Sequence, residues 1–317
     1  MKNSKTTNDL PDRPLQKNRE VWLLGQPPLR TYLKYVKDNV VDASTIPQSV
    51  LINDWRTANE YYAQLELQEA GIAQTIETQD LDADLQALAE DVIADSRYKR
   101  AFDLLPTRIA VVEIDKMVVG QPNVSENHSQ KIMQGLGEKP SNEKLFRFCL
   151  PLDRSEADVQ MRQIGHQRYL FWSSSADFRF QEAKLLQKHN IKGYDPVGEV
   201  SNVLALLIGF GSNFLNLIEF EGRMLIHNGH HRLHALRSLG VTHAPCVVQT
   251  VTQLEELRLV ASQAIIEDPN FYFVAKRPPV MKDFFNPKIR KVHFTERLST
   301  IVEVGFDVKV STNVKAF

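Results

Sequence analysis

Cysteine is almost missing from this chain of 317 residues: Cys149 and Cys246 are its two, nearly a hundred positions apart and outside any CxxC spacing. Each sits in an apolar run, Phe-Cys-Leu and Pro-Cys-Val-Val, so two buried thiols are expected rather than a disulfide or a metal pair. An excess of either charge is missing too. Lys and Arg number 38 against 39 Asp and Glu, a formal net charge of −1, and this excludes a surface that grips nucleic acid or anionic lipid by bulk charge. Long apolar runs are absent: no window approaches the roughly 18 residues of a membrane span, and the first residues lack an apolar stretch of signal-peptide length. These absences lead to the expectation of a protein of the reducing cytoplasm with no membrane partner. What is plentiful is core material. Hydrophobic residues make up 43% of the chain, enough for one large domain or two smaller ones.

Residues 1 to 20 are polar and carry Pro11 and Pro14, which reads as a disordered arm. From Asp54, read as an N-cap, Trp55, Ala58, Tyr62, Leu65 and Glu69 recur at helical spacing, with Gly71 as a stop. Leu85, Leu88, Ala89, Val92 and Ile93 form the buried stripe of a second helix between Leu81 and Arg100. Residues 60 to 95 hold ten acidic and no basic side chains, the composition of a solvated helix face rather than of an acidic docking site. After Pro106 the texture changes. Ile109-Ala-Val-Val-Glu-Ile has the β-branched character of a buried strand, and further strands are expected at Leu145 to Leu150 and Tyr169 to Trp172. Residues 120 to 145, rich in Gly, Asn, Ser and Gln, predict a mobile loop. The run from Val203 fits a buried helix or a buried strand equally well. A helix is expected over Leu254 to Ile266. Residues 276 to 291 then hold six basic side chains and one acidic, interleaved with Phe284 and Phe285. A solvated edge held to the core by its two Phe residues is favoured there over a nucleic-acid contact.

The clearest pattern lies between 214 and 251. Phe214 to Phe220 and Arg223 to His227 flank Glu221-Gly222, where Gly supplies the positive φ of a hairpin turn. Asn228-Gly229 breaks the second strand, a helix follows with Leu233, Leu236 and Leu239 on one side, and Gly240 stands at its C′ position. Ala244 to Val251 is a third strand. Strand end, Gly and helix start thus fall within His227-Asn-Gly-His-His-Arg-Leu-His, and that order makes an anion site. The first N–H groups of a helix lack internal partners and sit at the positive end of its dipole. Gly229 lets a ligand come close, Arg232 can fork onto phosphate oxygens, and His230 or His231 can donate a hydrogen bond or move a proton. The bland alternative is a helix started by a capping Asn228, with two histidines partly exposed.

The run from Met224 to Gly240 followed by Ala244-Pro-Cys-Val-Val resembles the Gly-x-x-Arg phosphate-binding segment of the ParB/sulfiredoxin superfamily. Val111-Val-Glu-Ile-Asp-Lys-Met-Val-Val-Gly-Gln-Pro resembles the opening strand of ParB N-terminal domains. The likeness covers roughly 109 to 251, with a long insertion between its two marked ends. It implies an α+β protein: a small mixed sheet with packed helices over 106–260, a helical region over 21–105 before it and an extension over 261–317 after it. It also implies a nucleotide or small phosphorylated ligand, with or without Mg²⁺, held by Asn228, Gly229, His230, His231, Arg232 and Gln121. Partitioning proteins of this superfamily bind and hydrolyse CTP, sulfiredoxin uses ATP, and related free-serine kinases, which share a Gly-His-His-Arg run, transfer a phosphoryl group. If the chain turns over, it is a phosphotransferase or nucleotide hydrolase, with His230 and His231 as catalytic candidates. His230 stands where sulfiredoxin has its reactive Cys, which excludes repair by that thiol. Glu113 and Glu126 are the carboxylates within reach in sequence, and neither has the spacing of the kinases' catalytic Glu.

Two rival readings remain from the residues. A non-catalytic DNA- or protein-binding regulator would use the basic segment and the acidic helices. A metal-dependent hydrolase would use His230 and His234, spaced i, i+4 as in zincins, but no general-base Glu or carboxylate ligand accompanies them, and His234 reads as an exposed side chain. No metal ligand set is therefore assigned. Gly209-Phe-Gly-Ser-Asn lacks the Lys of a P-loop, although as the segment before the hairpin it is a candidate lining of the same cleft.

Overall fold

The structure, a computed structural model, describes residues 17–153, 158–175, 177–187, 193, 197–296 and 300–312. The chain is an α+β protein that divides into two compact units, Met1–Leu152 with Phe214–Arg297, and Asp153–Asn213 with Leu298–Phe317. In chain order the first unit begins with β1 (Lys17–Leu23), α1 (Leu29–Asn39), α2 (Gln48–Gln68), β2 (Thr78–Gln79), α3 (Gln86–Ala94) and α4 (Ser96–Ala101). It continues with β3 (Thr107–Glu113), β4 (Val118–Val119), β5 (Asn123–Ser125), α5 (Glu126–Leu136) and α6 (Asn142–Cys149). The second unit contributes β6 (Val159–Gly165), β7 (Arg168–Ser173), β8 (Phe178–Gln187) and β9 (Asn202–Phe210). The chain then returns to the first unit for β10 (Asn216–Phe220), β11 (Arg223–Asn228), α7 (His230–Ser238), β12 (His243–Thr250), α8 (Leu257–Val260), α9 (Gln263–Glu267), α10 (Pro269–Phe273) and β13 (Arg290–Glu296). It closes in the second unit with β14 (Thr300–Gly305).

The segment 214 to 251 folds as hairpin, helix and strand. Glu221 and Gly222 both take positive φ, 48° and 77°, so the turn needs the left-handed region twice and not at Gly alone, as a two-residue type I′ loop does. At the far end of α7, Gly240 has φ 80°. The Val241 N–H reaches the Leu236 carbonyl at 3.0 Å and the Gly240 N–H the Arg237 carbonyl at 3.0 Å, which is the paired closure of a Schellman motif. β12 lies between β3 and β10 in a mixed sheet of order β2-β3-β12-β10-β11-β4, antiparallel to β3 and parallel to β10. Val112, Leu217, Leu225 and Val247 are fully buried in it.

An early and a late segment of the chain share a second sheet, β13-β1-β5, where Val21 pairs with Val292 on one side and Val124 on the other. Residues 17–20, expected in a disordered arm, are therefore strand, while residues 1–16 lie outside the described residues. The expected extension over 261–317 is likewise split, since β13 completes the first unit and β14 belongs to the second. Both differences come from pairing between distant segments, β14 with β7 in the second unit and β1 with β13 and β5 in the first. β1 finds its partners about a hundred and about 270 residues away, a distance that no local pattern encodes.

Five further expectations are corrected. Leu145–Leu150 is not a strand: Ser141 caps α6 by accepting the Lys144 N–H at 3.3 Å, and Phe146 and Cys149, three residues apart, face the core. The proposed loop 120–145 is mostly β5, α5 and α6, with Ser125 capping α5. The helix expected between Leu81 and Arg100 breaks at Asp95, whose carboxylate accepts the Arg97 N–H at 2.7 Å and starts α4. Its stripe is buried at Leu85, Ala89 and Val92, but Ile93 is exposed. Asp54 is not an N-cap. α2 begins six residues earlier behind Pro47, and Asp54 instead receives the Lys291 ammonium at 2.8 Å. The helix expected over Leu254–Ile266 is a short 3-10 turn followed by α8 and α9. Phe210's run is strand, as β9.

The second unit contains a three-stranded sheet, β14-β7-β6, and a two-stranded ribbon, β8-β9.

Candidate functional site

The turn from β11 into α7 is fixed by neighbours on every side. Gly229 has φ 113°, and a Cβ there would stand 2.9 Å from Leu215 Cγ, so a larger residue would be both strained and obstructed. Asn228 Nδ2 donates to the Phe214 carbonyl at 3.2 Å, and the His227 ring nitrogen Nδ1 lies 3.0 Å from Asn216 Oδ1. Asn228 thus ties the turn to the start of β10. The cap itself is Gly229, which has no side chain to satisfy the first amides of α7.

His230 is buried, and its Nε2 accepts the Gly120 N–H at 3.1 Å. This bond brings the Gly-Gln-Pro segment to the helix start, so the two ends of the sequence pattern, 110 residues apart, meet in space. Burial pushes the His230 pKa down to about 3, and the neighbouring His231 and His227 add to the effect. The ring is neutral at pH 7, with Nε2 as its acceptor and the proton on Nδ1. Gln121 turns its amide onto the Asn123 carbonyl at 2.8 Å.

His231 is half-buried between α5 and α7. Its ring meets His128 edge to face at 5.0 Å, and its carbonyl accepts Ser129 Oγ at 3.2 Å. Burial, then His128 and His234, holds its pKa below the ordinary value. His128 and Ser129 were not legible as site residues, because they carry no local motif and reach the turn only through the packing of α5 on α7. One signal was available: the capping sequence Ser125-Glu126 marks a helix start where a loop was expected.

Arg232 is placed otherwise than expected. Its guanidinium donates to the Cys149 carbonyl at 3.1 Å and, at 3.5 Å, to that of Phe148, the last carbonyls of α6. The side chain is buried against the protein, so its removal would disturb the packing of α7 on α6 as well as any ligand contact. His234 is corrected too: it is 4% exposed, not a surface side chain. It stacks on Phe285 at 4.7 Å, and neither ring nitrogen has a partner. Burial, with Arg290 adding and Glu126 opposing, lowers its pKa to about 4.

The candidate carboxylates are engaged elsewhere. Glu113 pairs with Lys116 at 3.0 Å and accepts the Glu77 N–H, while Glu126 pairs with Arg19 at 2.5 Å. Among the described residues no group of three or more His, Cys, Asp or Glu is arranged to hold a metal. Both thiols are fully buried and free, and burial raises the Cys149 pKa to about 12. Gly209 to Asn213 belongs to the other unit, where Asp177 accepts the Gly211 N–H at 2.8 Å.

The basic segment packs against the core through Phe284, which is buried, and through Phe285 beneath Arg237. Three of its six cations meet carboxylates. Arg277, fully buried, bridges Asp283 at 2.6 Å and Glu69 at 2.8 Å, Lys282 reaches Glu69 at 2.8 Å, and Lys291 reaches Asp54.

Comparison with family models, curated proteins and solved structures finds no match to this chain.

Proposed function

We propose that the β11–α7 turn of the first unit, a ParB/sulfiredoxin-like core, binds a nucleotide or small phosphorylated ligand. The reading rests chiefly on one observation: a nine-residue helix opens without a side-chain cap behind a left-handed Gly229, against Gly120 of the Gly-Gln-Pro segment. Exposed His227 and His128 and half-buried His231 and Gln121 lie around it. In this reading the amides at 229–231 face the phosphate oxygens, and the positive end of α7 stabilises their charge. The imidazole of His231, kept neutral by burial, acts as a hydrogen-bond donor. Arg232 serves indirectly. It holds the turn against α6, and removing it would loosen the cradle rather than delete a phosphate contact.

If turnover accompanies binding, phosphoryl transfer asks mainly for positioning and charge stabilisation. His231 is the better candidate for moving a proton, because His230 Nε2 already accepts from Gly120. Magnesium would arrive on the nucleotide. Nucleic acid gains less support, since Arg277, Lys282 and Lys291 are each bound to a carboxylate.

The test is a thermal-shift screen of nucleoside di- and triphosphates, with and without Mg²⁺, on the wild type and His231→Ala. A ligand bound only by the native state raises the melting temperature. The expected result is a rise with one nucleotide class that His231→Ala reduces. No shift with any phosphorylated compound sinks the reading.

A further inference from the structure

Between α1 and α2 the chain runs beside β13 and then leaves it. The Val41 N–H donates to the Phe294 carbonyl at 2.8 Å, and Val40 bridges Thr295. At Asp42 the backbone turns through the left-handed region, φ 57°, and a short 3-10 turn over Ala43–Thr45 carries it away before α2 starts. α2 returns to the strand at Asp54, whose carboxylate takes the Lys291 ammonium at 2.8 Å. A recess of about 260 Å³ is left between these two fastenings.

Its wall is almost wholly hydrocarbon. Ile46, Val50 and Leu51 line it from the α2 side, and Val292 and Phe294 from β13. Leu51 is buried, whereas Val50 is 45% exposed and Phe294 47%, so the recess opens to water between the last two. The three polar side chains that reach it are already engaged. Asp54 and Lys291 hold one another, and His293 Nε2 lies 3.0 Å from the Tyr32 hydroxyl. Burial, with Lys291 adding and Asp54 opposing, lowers the His293 pKa to about 4, so the ring is neutral at pH 7.

We propose that this recess binds a small uncharged apolar molecule, a single ring bearing a short alkyl chain or a branched hydrocarbon of that size. Three features select the class. The two fastenings close both ends, so an extended peptide has no way through and the occupant is compact. A charged ligand would lose its hydration without finding a counterion, unless it broke the Asp54–Lys291 pair. A dry apolar cavity of about 150 Å³ takes benzene, and the larger volume here suits a ring with a few carbons more. The site shares no residue with the β11–α7 turn, so either can fail without the other.

The test is the melting temperature of the full chain with n-butylbenzene and with 4-phenylbutyrate, the same skeleton ending in a carboxylate. A ligand of the native state raises it, and a rise of about 2–4 °C is expected from n-butylbenzene and none from 4-phenylbutyrate. Val50→Phe puts a ring of its own into the recess from an exposed position. That variant is expected to keep the wild-type circular dichroism spectrum and to lose the rise. Methyl NMR on the wild type locates the ligand independently of any substitution: n-butylbenzene is expected to move the resonances of Ile46, Val50 and Val292 and to leave Ile226, on β11, in place. No rise with n-butylbenzene, an equal rise with 4-phenylbutyrate, a rise that survives Val50→Phe, or methyl shifts centred elsewhere each overturns the proposal.

Discussion

β12 and β9 are both strands without Asp, Glu, Lys or Arg, and they end in opposite circumstances. β12 is buried at six of its eight residues, whereas β9 is buried at none. Apolar composition is common to the two. The difference is in neighbours: β3 and β10 flank β12, while β9 has β8 on one side and, among the described residues, no strand on the other. Hydrophobicity states that a strand gains by being covered, and the rest of the chain decides whether it is.

The contrast can be broken most severely at β12. Val247→Asp puts a carboxylate where the side chain is fully buried, and a loss above about 4 kcal/mol is expected, read as failure of the first unit to unfold cooperatively in urea. Next is the buried clasp behind the same unit. Burial opposes the charge on Arg277, but Asp283 and Tyr62 more than offset it and hold the guanidinium ionised. Arg277→Ala leaves Asp283 buried without its cation, and about 3–5 kcal/mol should be lost in chemical denaturation.

Acid sharpens the comparison from another side. His230, His234 and His293, all in the first unit, have pKa values lowered to about 3, 4 and 4 by burial. In the unfolded chain each returns to about 6.5 and binds its proton first. Their contribution is therefore complete above pH 6.5 and is lost as pH falls toward 4, by up to about 1.4 kcal/mol per pH unit for each ring. Melting temperatures recorded between pH 7.5 and 4.5 should fall toward acid, and His234→Phe should flatten the slope. A slope unchanged in that variant would refute the assignment of His234.

Arg232→Ala is expected to cost about 1–3 kcal/mol, since the Cys149 carbonyl loses its donor, and to weaken any nucleotide-induced stabilisation as well. An unaltered urea midpoint would return Arg232 to a purely ligand-facing role. The smallest effect is expected on β9. Leu204→Thr changes an exposed side chain on a strand-compatible residue, and stability should move by no more than about 0.5 kcal/mol. A larger loss would mean that the ribbon is covered.

Local patterns carried the site further than they carried the fold around it. Gly222, Gly229 and Gly240 mark the turns of the hairpin and of α7 because each needs a positive φ that L side chains rarely adopt, and the structure places all three there. The stripe Leu233 and Leu236 is buried as spaced. Residues within a few positions of one another are governed by backbone sterics, which sequence expresses directly. The burial of Arg232 and His234 was missed for the complementary reason. On α7 each is a polar residue at a position that could face water, and only α6 and the Phe284-Phe285 turn, contributed from elsewhere, enclose them. The short run Leu145 to Leu150 was misread as a strand for want of length, since six residues, five of them apolar, fit one turn and a half of helix as well as a strand.

By itself the sequence determined the near-neutral charge, the α+β content, the hairpin-helix-strand order of 214 to 251 and the glycines that shape its turns. These follow from local sterics, periodicity and counting. Tertiary structure alone decided that β1 and β13 share a sheet, that Gly120 meets His230, that Arg232 is turned onto α6, and that Glu69 and Asp54 receive cations of the basic segment. Each of these joins residues far apart along the chain, and the free energy of such a contact exists only after the intervening chain has been folded to bring its members together.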